Sequence, residues 1–404
     1  MNEPMTSEKI NASAQRRSSF NQDTSTTVMI SQDILTDPLK VLYLFQCFQE
    51  AQDRALCDVL SDSFHDDEVK ISGNVLPHQL ASLGFFLSSS NRKWKRLALT
   101  KSVIRDHGIQ LLHRYLCGDL TNEQKIEVID LTSNYLTRTS SPLIGDIIVH
   151  TQPHTVILND NCIHIVKDIS AAIAAAIAAT TTVKVLNMTD NGLCTSQELP
   201  AVHDMISRLE ELDISGNELD DGAAVVLSEG IKLTTTLRSL VICRNEISAV
   251  SAKLIADSLM YNTTLEVLNM SHNNIGEDGI VTVAKSIAVN NVLKELHIHA
   301  NRIKTVGATA TANYLTINTS LEVLHIDANI IGDDGAASIA RAIAWNKTLK
   351  KLFISHNKIT STGAISIARS LAQNTSLEKL DISENDIHKD GAKHLLKQLV
   401  TIAH

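Results

Sequence analysis

The sequence predicts an α/β solenoid, in which short parallel strands and helices alternate in stacked units. Three observations predict it. A motif read as "LEVLNMSHNNIGEDG" from Leu265 restarts at Leu209, Leu237, Leu265, Leu293, Leu321, Leu349 and Leu377, each start 28 residues after the last. Positions 4 and 6 of each unit are apolar, as in Leu268 and Met270, Leu296 and Ile298, or Leu324 and Ile326, the period-two pattern of a strand with one buried face. The second half, as in "GAASIARAIAWN", opens near a glycine at position 15 and repeats small and apolar residues at helical spacing.

From the N-terminus, residues 1–32 are rich in Ser, Thr, Asn and Gln and are expected to be a disordered tail. They contain no apolar run suited to a signal peptide or membrane span. The chain turns apolar at "DPLKVLYLFQCFQEAQDRALCDVLSDSF", where Leu39, Leu42, Phe45, Phe48 and Leu56 share a helical stripe and Pro38 suits a first turn. Residues 33–65 are therefore expected to form a helical cap over the end of the first repeat, which a solenoid needs for solubility.

Residues 66–404 hold about twelve units, the early ones starting irregularly at Asp66, Trp94, Ile126, Pro153 and Val183. The stretch at 137–153 is the expected place for a distorted turn. Position 9 is Asn in eleven of the twelve units, and its amide can satisfy backbone groups where the chain leaves the strand. Position 26 is Asn at 262, 290, 318, 346 and 374, where a residue tolerant of the left-handed conformation can end a helix. The sequons at Asn262, Asn318, Asn346 and Asn374 come from this structural residue, and a further one lies at Asn11.

A period of about 20–29 residues with L-x-x-L-x-L-x-x-N-x-L is the signature of leucine-rich repeats. The 28-residue unit with a full helix resembles the ribonuclease-inhibitor type, a horseshoe that binds macromolecules on its inner face and edges. The resemblance implies strands on a concave wall and helices outside. In addition, "LFQCFQEAQDRALCDVL" (44–60) followed by "LPHQLASLGFFLSSSNRKWKRLAL" (76–99) resembles the junction that precedes the repeats of NLR proteins, the nucleotide-binding, leucine-rich-repeat innate-immune sensors. Their ATPase module has no counterpart here, because no G-x-x-x-x-G-K-[ST] phosphate loop occurs. The chain reads as a shortened relative of such a sensor or a fragment of one.

A formal charge of −9 and an aromatic content of 3% argue against nucleic acid as a partner. Cys47, Cys57, Cys117, Cys162, Cys194 and Cys243 form neither a CxxC pair nor a dense framework, as in a reducing compartment. A cytoplasmic location follows, with no membrane contact expected.

Outward strand positions 5, 7 and 8 map the concave wall, and their most polar and aromatic stretch supplies the candidate partner-binding residues: Arg244, His272, His297, His299, His325, Asp327, Phe353 and His356. Three imidazoles and a carboxylate are acceptable zinc ligands. A flat wall does not by itself converge them, so no metal is assigned and the face is read as polar, with a charge that responds to pH near 6.5. Phe353 reads either as an interface anchor or as a ring packed on its neighbours. Cys243, beside Arg244 and one strand from His272, is the minimum for an activated thiolate, but no third group orients it and no catalytic residue is assigned.

The expectation is a non-enzymatic monomer without cofactors that binds a protein on its concave face, resembling the sensing or autoinhibitory part of NLR receptors. The alternative is a GTPase regulator, since the repeats also resemble those of Ran GTPase-activating proteins. Those carry a long acidic tail, whereas this chain ends in "HKDGAKHLLKQLVTIAH".

Overall fold

From residue 155 onward each strand is three residues long, an inward leucine or valine at position 4 with its two neighbours, and pairs residue for residue with the next unit. The computed structural model describes residues 37–402 except 52–53, 65, 91, 119–124, 164–169 and 194–204. The expected tail at 1–32 and Cys194 thus lie outside the described residues. In the first half the strands are β1 (Glu68–Ser72), β2 (Trp94–Thr100), β3 (Ile126–Asp130), β4 (Thr155–Ile157), β5 (Val185–Asn187) and β6 (Glu211–Asp213). In the second they are β7 (Ser239–Val241), β8 (Val267–Asn269), β9 (Glu295–His297), β10 (Val323–His325), β11 (Lys351–Phe353) and β12 (Lys379–Asp381). All twelve form one parallel sheet in sequence order.

The register aligns Leu240, Leu268, Leu296, Leu324, Leu352 and Leu380 in one inward row. All but the half-buried Leu380 are fully buried, each contributing about 1.5–3 kcal/mol. Helices such as Gly276–Val289, Thr305–Leu315 and Gly332–Trp345 pack one against the next beside that row. The repeated glycine permits this closeness: a Cβ on Gly307 would lie 2.4 Å from Ile280 Cγ2. Side chains also cap across repeats, as where Asp333 Oδ1 accepts from the backbone N–H groups of Thr360 (2.7 Å) and Gly363 (3.0 Å) at the next helix start. Burial opposes ionisation of Asp333, but these bonds and that from the Thr360 hydroxyl win and lower its pKa.

Two asparagine ladders hold the turns. At position 9, Asn273 Nδ2 donates to Met270 O and Ile242 O, both at 3.0 Å, and its Oδ1 accepts from the N–H groups of Asn245 (3.1 Å) and Ile247 (3.2 Å). At position 26 the expected left-handed cap is replaced by an extended one, with φ −75° at Asn290 and −67° at Asn346. The side chain does the capping: Asn290 Oδ1 accepts from Val292 N and Leu293 N, while Nδ2 donates to Leu259 O of the preceding unit. Asn262, Asn318, Asn346 and Asn374 are buried with their Nδ2 atoms committed to backbone carbonyls, so the folded chain does not offer those sequons for glycosylation. Left-handed residues recur instead at position 8, as at Arg244, His272 and His356, where the chain leaves the strand.

Two other expectations are corrected. The stretch 137–153 holds a 3-10 turn (Arg138–Ser140) and a regular helix (Ser141–Thr151) with Pro142 in its first turn, where the missing N–H has no intrahelical role. In the N-terminal helix Pro38–Ala51, Leu39 is exposed and Val41 joins Leu42 and Phe45 in the core. The helix is anchored by an aromatic cluster, with Phe86 centred 4.5 Å from Phe45 and 5.5 Å from Trp94, so the ring partners decide which helical face is buried. No described helix is long and apolar enough to cross a membrane.

Candidate functional site

Five units close their own outward strand positions. Asp213 Oδ1 accepts from Ser215 N and Oγ, and the same pairing recurs at Asn269 with Ser271, Asp381 with Ser383, Asn187 with Thr189 and Asp130 with Thr132. An acceptor at position 5 thus satisfies a hydroxyl and an N–H at position 7. In β9 and β10 the pair is replaced by His297 with His299 and His325 with Asp327, which frees these side chains to meet across strands.

The sheet register sets His297 beside His325 and His325 beside Phe353. The rings stack: His297 on His325 at 4.3 Å and 10°, and His325 on Phe353 at 3.9 Å and 7°. Lys379 Nζ lies 4.8 Å from the Phe353 ring centre on the β12 side, completing a stack across four strands. Phe353 is therefore half-buried, with the His325 ring on one face and Lys379 at the other. His299 meets His272 edge-to-face at 5.1 Å and lies 6.1 Å from His325.

His297 and His299 are less ready to take a proton than the sequence suggests. Desolvation lowers the pKa of His297, with the charge of His325 adding to it, and desolvation likewise lowers that of His299. For Asp327 burial works upward, but the contact with His325 and the charge of His299 prevail, holding the carboxyl below its ordinary range. His325 Nδ1 and Asp327 Oδ1 are 3.4 Å apart, and His297 Nε2 is 3.6 Å from Glu295 Oε2. Ligating atoms of His297, His299 and His325 all fall within 4.8 Å of one another, against the expectation that the wall would not converge them. Rotamers do what the flat register alone does not.

The remaining candidates sit apart from this cluster or at its edge. Arg244 is engaged with Asp190 Oδ2 at 3.2 Å, and with His272 turned onto His299 the cysteine-centred arrangement around Cys243 gains no support. His356 is exposed, in the left-handed conformation, and makes no ring contact among the described residues.

An apolar ladder was missed altogether. Leu233, Tyr261, Val289, Ile317 and Trp345, each one unit after the last, are all exposed at the ends of their helices, Trp345 at 74%. Its signal is readable as an apolar residue immediately before the residue at position 26 in successive units, but helical periodicity counts every apolar residue toward the core. Elsewhere, a shallow depression at the N-terminal strands is lined by Lys93, Lys95, Lys125, Lys184 and His154 with acidic neighbours.

A family model described as "Leucine Rich repeat" matches residues 208–228, 261–284, 318–340, 346–368 and 373–396. Among solved structures, an internalin from Listeria monocytogenes aligns over 93% of this chain and 97% of its own at 16% identity, with a TM-score of 0.52. The Rad7 and Elc1 complex of yeast aligns over 98% of this chain and 91% of that chain at 13% identity, with a TM-score of 0.50. No curated protein sequence matches the chain. The chain carries leucine-rich repeats, and the fold is an α/β leucine-rich-repeat solenoid.

Proposed function

We propose that this leucine-rich-repeat solenoid is a non-catalytic recognition scaffold that binds a protein partner on its open, concave strand face, around His297, His299, His325, Asp327 and Phe353. The observation that carries the reading is the stack of His297, His325, Phe353 and Lys379, which takes the place of the self-satisfied Asx–Ser pairs of other units. Rigid aromatic and imidazole edges with little rotamer entropy left to lose suit the centre of an interface. Rad7 in complex with Elc1 is a precedent for the fold, while the ligand is set by the site. The finer role is that of a cytoplasmic monomer resembling the sensing or autoinhibitory repeats of NLR proteins; the junction at 44–99 supports the resemblance and the scattered cysteines the location.

Crosslinking and mass spectrometry from cytosol, comparing wild type with His325→Ala/Phe353→Ala, tests the reading. Capture of a defined partner is expected to fall about tenfold or more in the variant, the loss typical of an interface hot spot, at unchanged melting temperature. A second reading places the partner on the helix-end edge, and the exposed apolar ladder favours it. Loss of capture on Tyr261→Ser/Trp345→Ser, with the strand-face variant unaffected, would select the edge. In a separate assay, the purified chain is expected to leave GTP hydrolysis by cytosolic small GTPases unstimulated; acceleration would replace the scaffold reading with the GTPase-regulator alternative.

A further inference from the structure

The units of β9 and β10, which lack the Asx–Ser or Asx–Thr pair, assemble a donor set in its place. We propose that His297, His299 and His325 bind one divalent transition-metal ion of the Zn²⁺ class, with a fourth coordination position open toward the strand face.

Four observations converge. Three imidazoles, from positions 5 and 7 of one unit and position 5 of the next, offer nitrogens within 4.8 Å of one another. His299 Nδ1 is a buried ring nitrogen without a hydrogen-bond partner, and Asp327 Oδ1 is buried without a well-aligned one. Such atoms are costly in a folded chain unless something satisfies them. A carboxylate stands behind each of the other two rings: Glu295 beside His297 Nε2 and Asp327 beside His325 Nδ1. A carboxylate at one ring nitrogen fixes the tautomer and leaves the other nitrogen as the ligand, the arrangement that outer-shell acids provide at histidine metal sites. Glu295 and Asp327 also bring two negative charges toward a dication held by neutral imidazoles.

Imidazole nitrogen is the donor that zinc, copper and nickel prefer, whereas calcium and magnesium call for oxygen. Tetrahedral bonds of about 2.0–2.1 Å place ligand nitrogens roughly 3.3 Å apart. Binding therefore draws the three donors together and turns His297 and His325 out of their parallel stack, since a metal lies in the plane of each ring it joins. Side-chain rotation alone achieves this, because the strands already stand in register.

The test uses the purified full chain and no partner, so its result is independent of whether the strand face binds protein. Zn²⁺ is titrated against a chromophoric chelator, and Co²⁺ is followed by visible absorption. The expected result is one equivalent of tight binding and the intense band of four-coordinate Co²⁺. Both should be retained in His356→Gln and His154→Gln, while His299→Gln and His325→Gln each lower affinity about a hundredfold. Zn²⁺ should also raise the melting temperature of wild type and leave that of His299→Gln unmoved, which separates a lost site from a misfolded variant. Absence of stoichiometric binding by the folded wild type overturns the proposal. A weak six-coordinate Co²⁺ spectrum, or equal affinity in His299→Gln, overturns it as well.

Discussion

Asn301→Ala is expected to lower the free energy of unfolding by about 2–5 kcal/mol, measured by urea titration, since two buried N–H groups lose their partner and two carbonyls each lose one of two donors. Asn301 Nδ2 donates to Met270 O (2.9 Å) and His299 O (3.1 Å), and Oδ1 accepts from Asn273 N (3.2 Å) and Ile275 N (3.4 Å). Alanine leaves the two N–H groups buried and unpaired and takes one of two donors from each carbonyl, since Met270 O also accepts from Asn273 Nδ2 and His299 O from His272 N. Asn301→Asp discriminates further: it keeps the acceptor for two N–H groups but loses the donor and sets a carboxylate against two carbonyls, so it is expected to be at least as damaging. Because each repeat touches only its neighbours, hydrogen exchange should show the loss of protection concentrated in β8 to β10. A loss below about 1 kcal/mol would mean that water replaces the amide and that the ladder is not what closes these turns.

Phe86→Ala is the second large effect, expected at about 3–5 kcal/mol because a fully buried ring is removed from a cluster too rigid to collapse. Phe86 is wholly buried and touches Phe45, Phe64 and Trp94, with Trp94 itself held by a 3.2 Å bond from its Nε1 to Ser90 Oγ. Through Phe45 the cluster fastens the helix Pro38–Ala51 to the first units, so that helix should lose protection before the central repeats do. Phe86→Leu should cost less than half as much, since most of the volume is kept. Equal loss of protection across all repeats would show that the cap folds in one step with the array.

How much of this was readable differs from residue to residue. The inward row from Leu240 to Leu352 and the role of the position-9 asparagines follow from a 28-residue period and the two-residue pleat, because stacking identical units leaves one way to bury the leucines and pair the turns. Residues placed on the strand face by that argument are indeed its outward positions, from Asp213 to Asp381. What the argument lacks is rotamers. Nothing in "LHIHANRIKTVG" says that His297 lies flat on His325, that Phe353 is covered on both faces, or that Arg244 reaches to Asp190.

The same limit separates Leu39 from Val41, since helical spacing names an apolar face and only the rings packed against it choose its rotation. It also hides the ladder from Leu233 to Trp345, where apolar residues end their helices in the open. By itself, then, the sequence determined the period, the alternation of strand and helix and the parallel register, because each is a one-dimensional consequence of repetition. Tertiary structure alone decided which imidazoles converge, how burial lowers the basicity of His297 and His299 and where apolar surface stays uncovered. Those depend on side-chain torsions and on neighbours 28 residues apart, which a period aligns but does not orient.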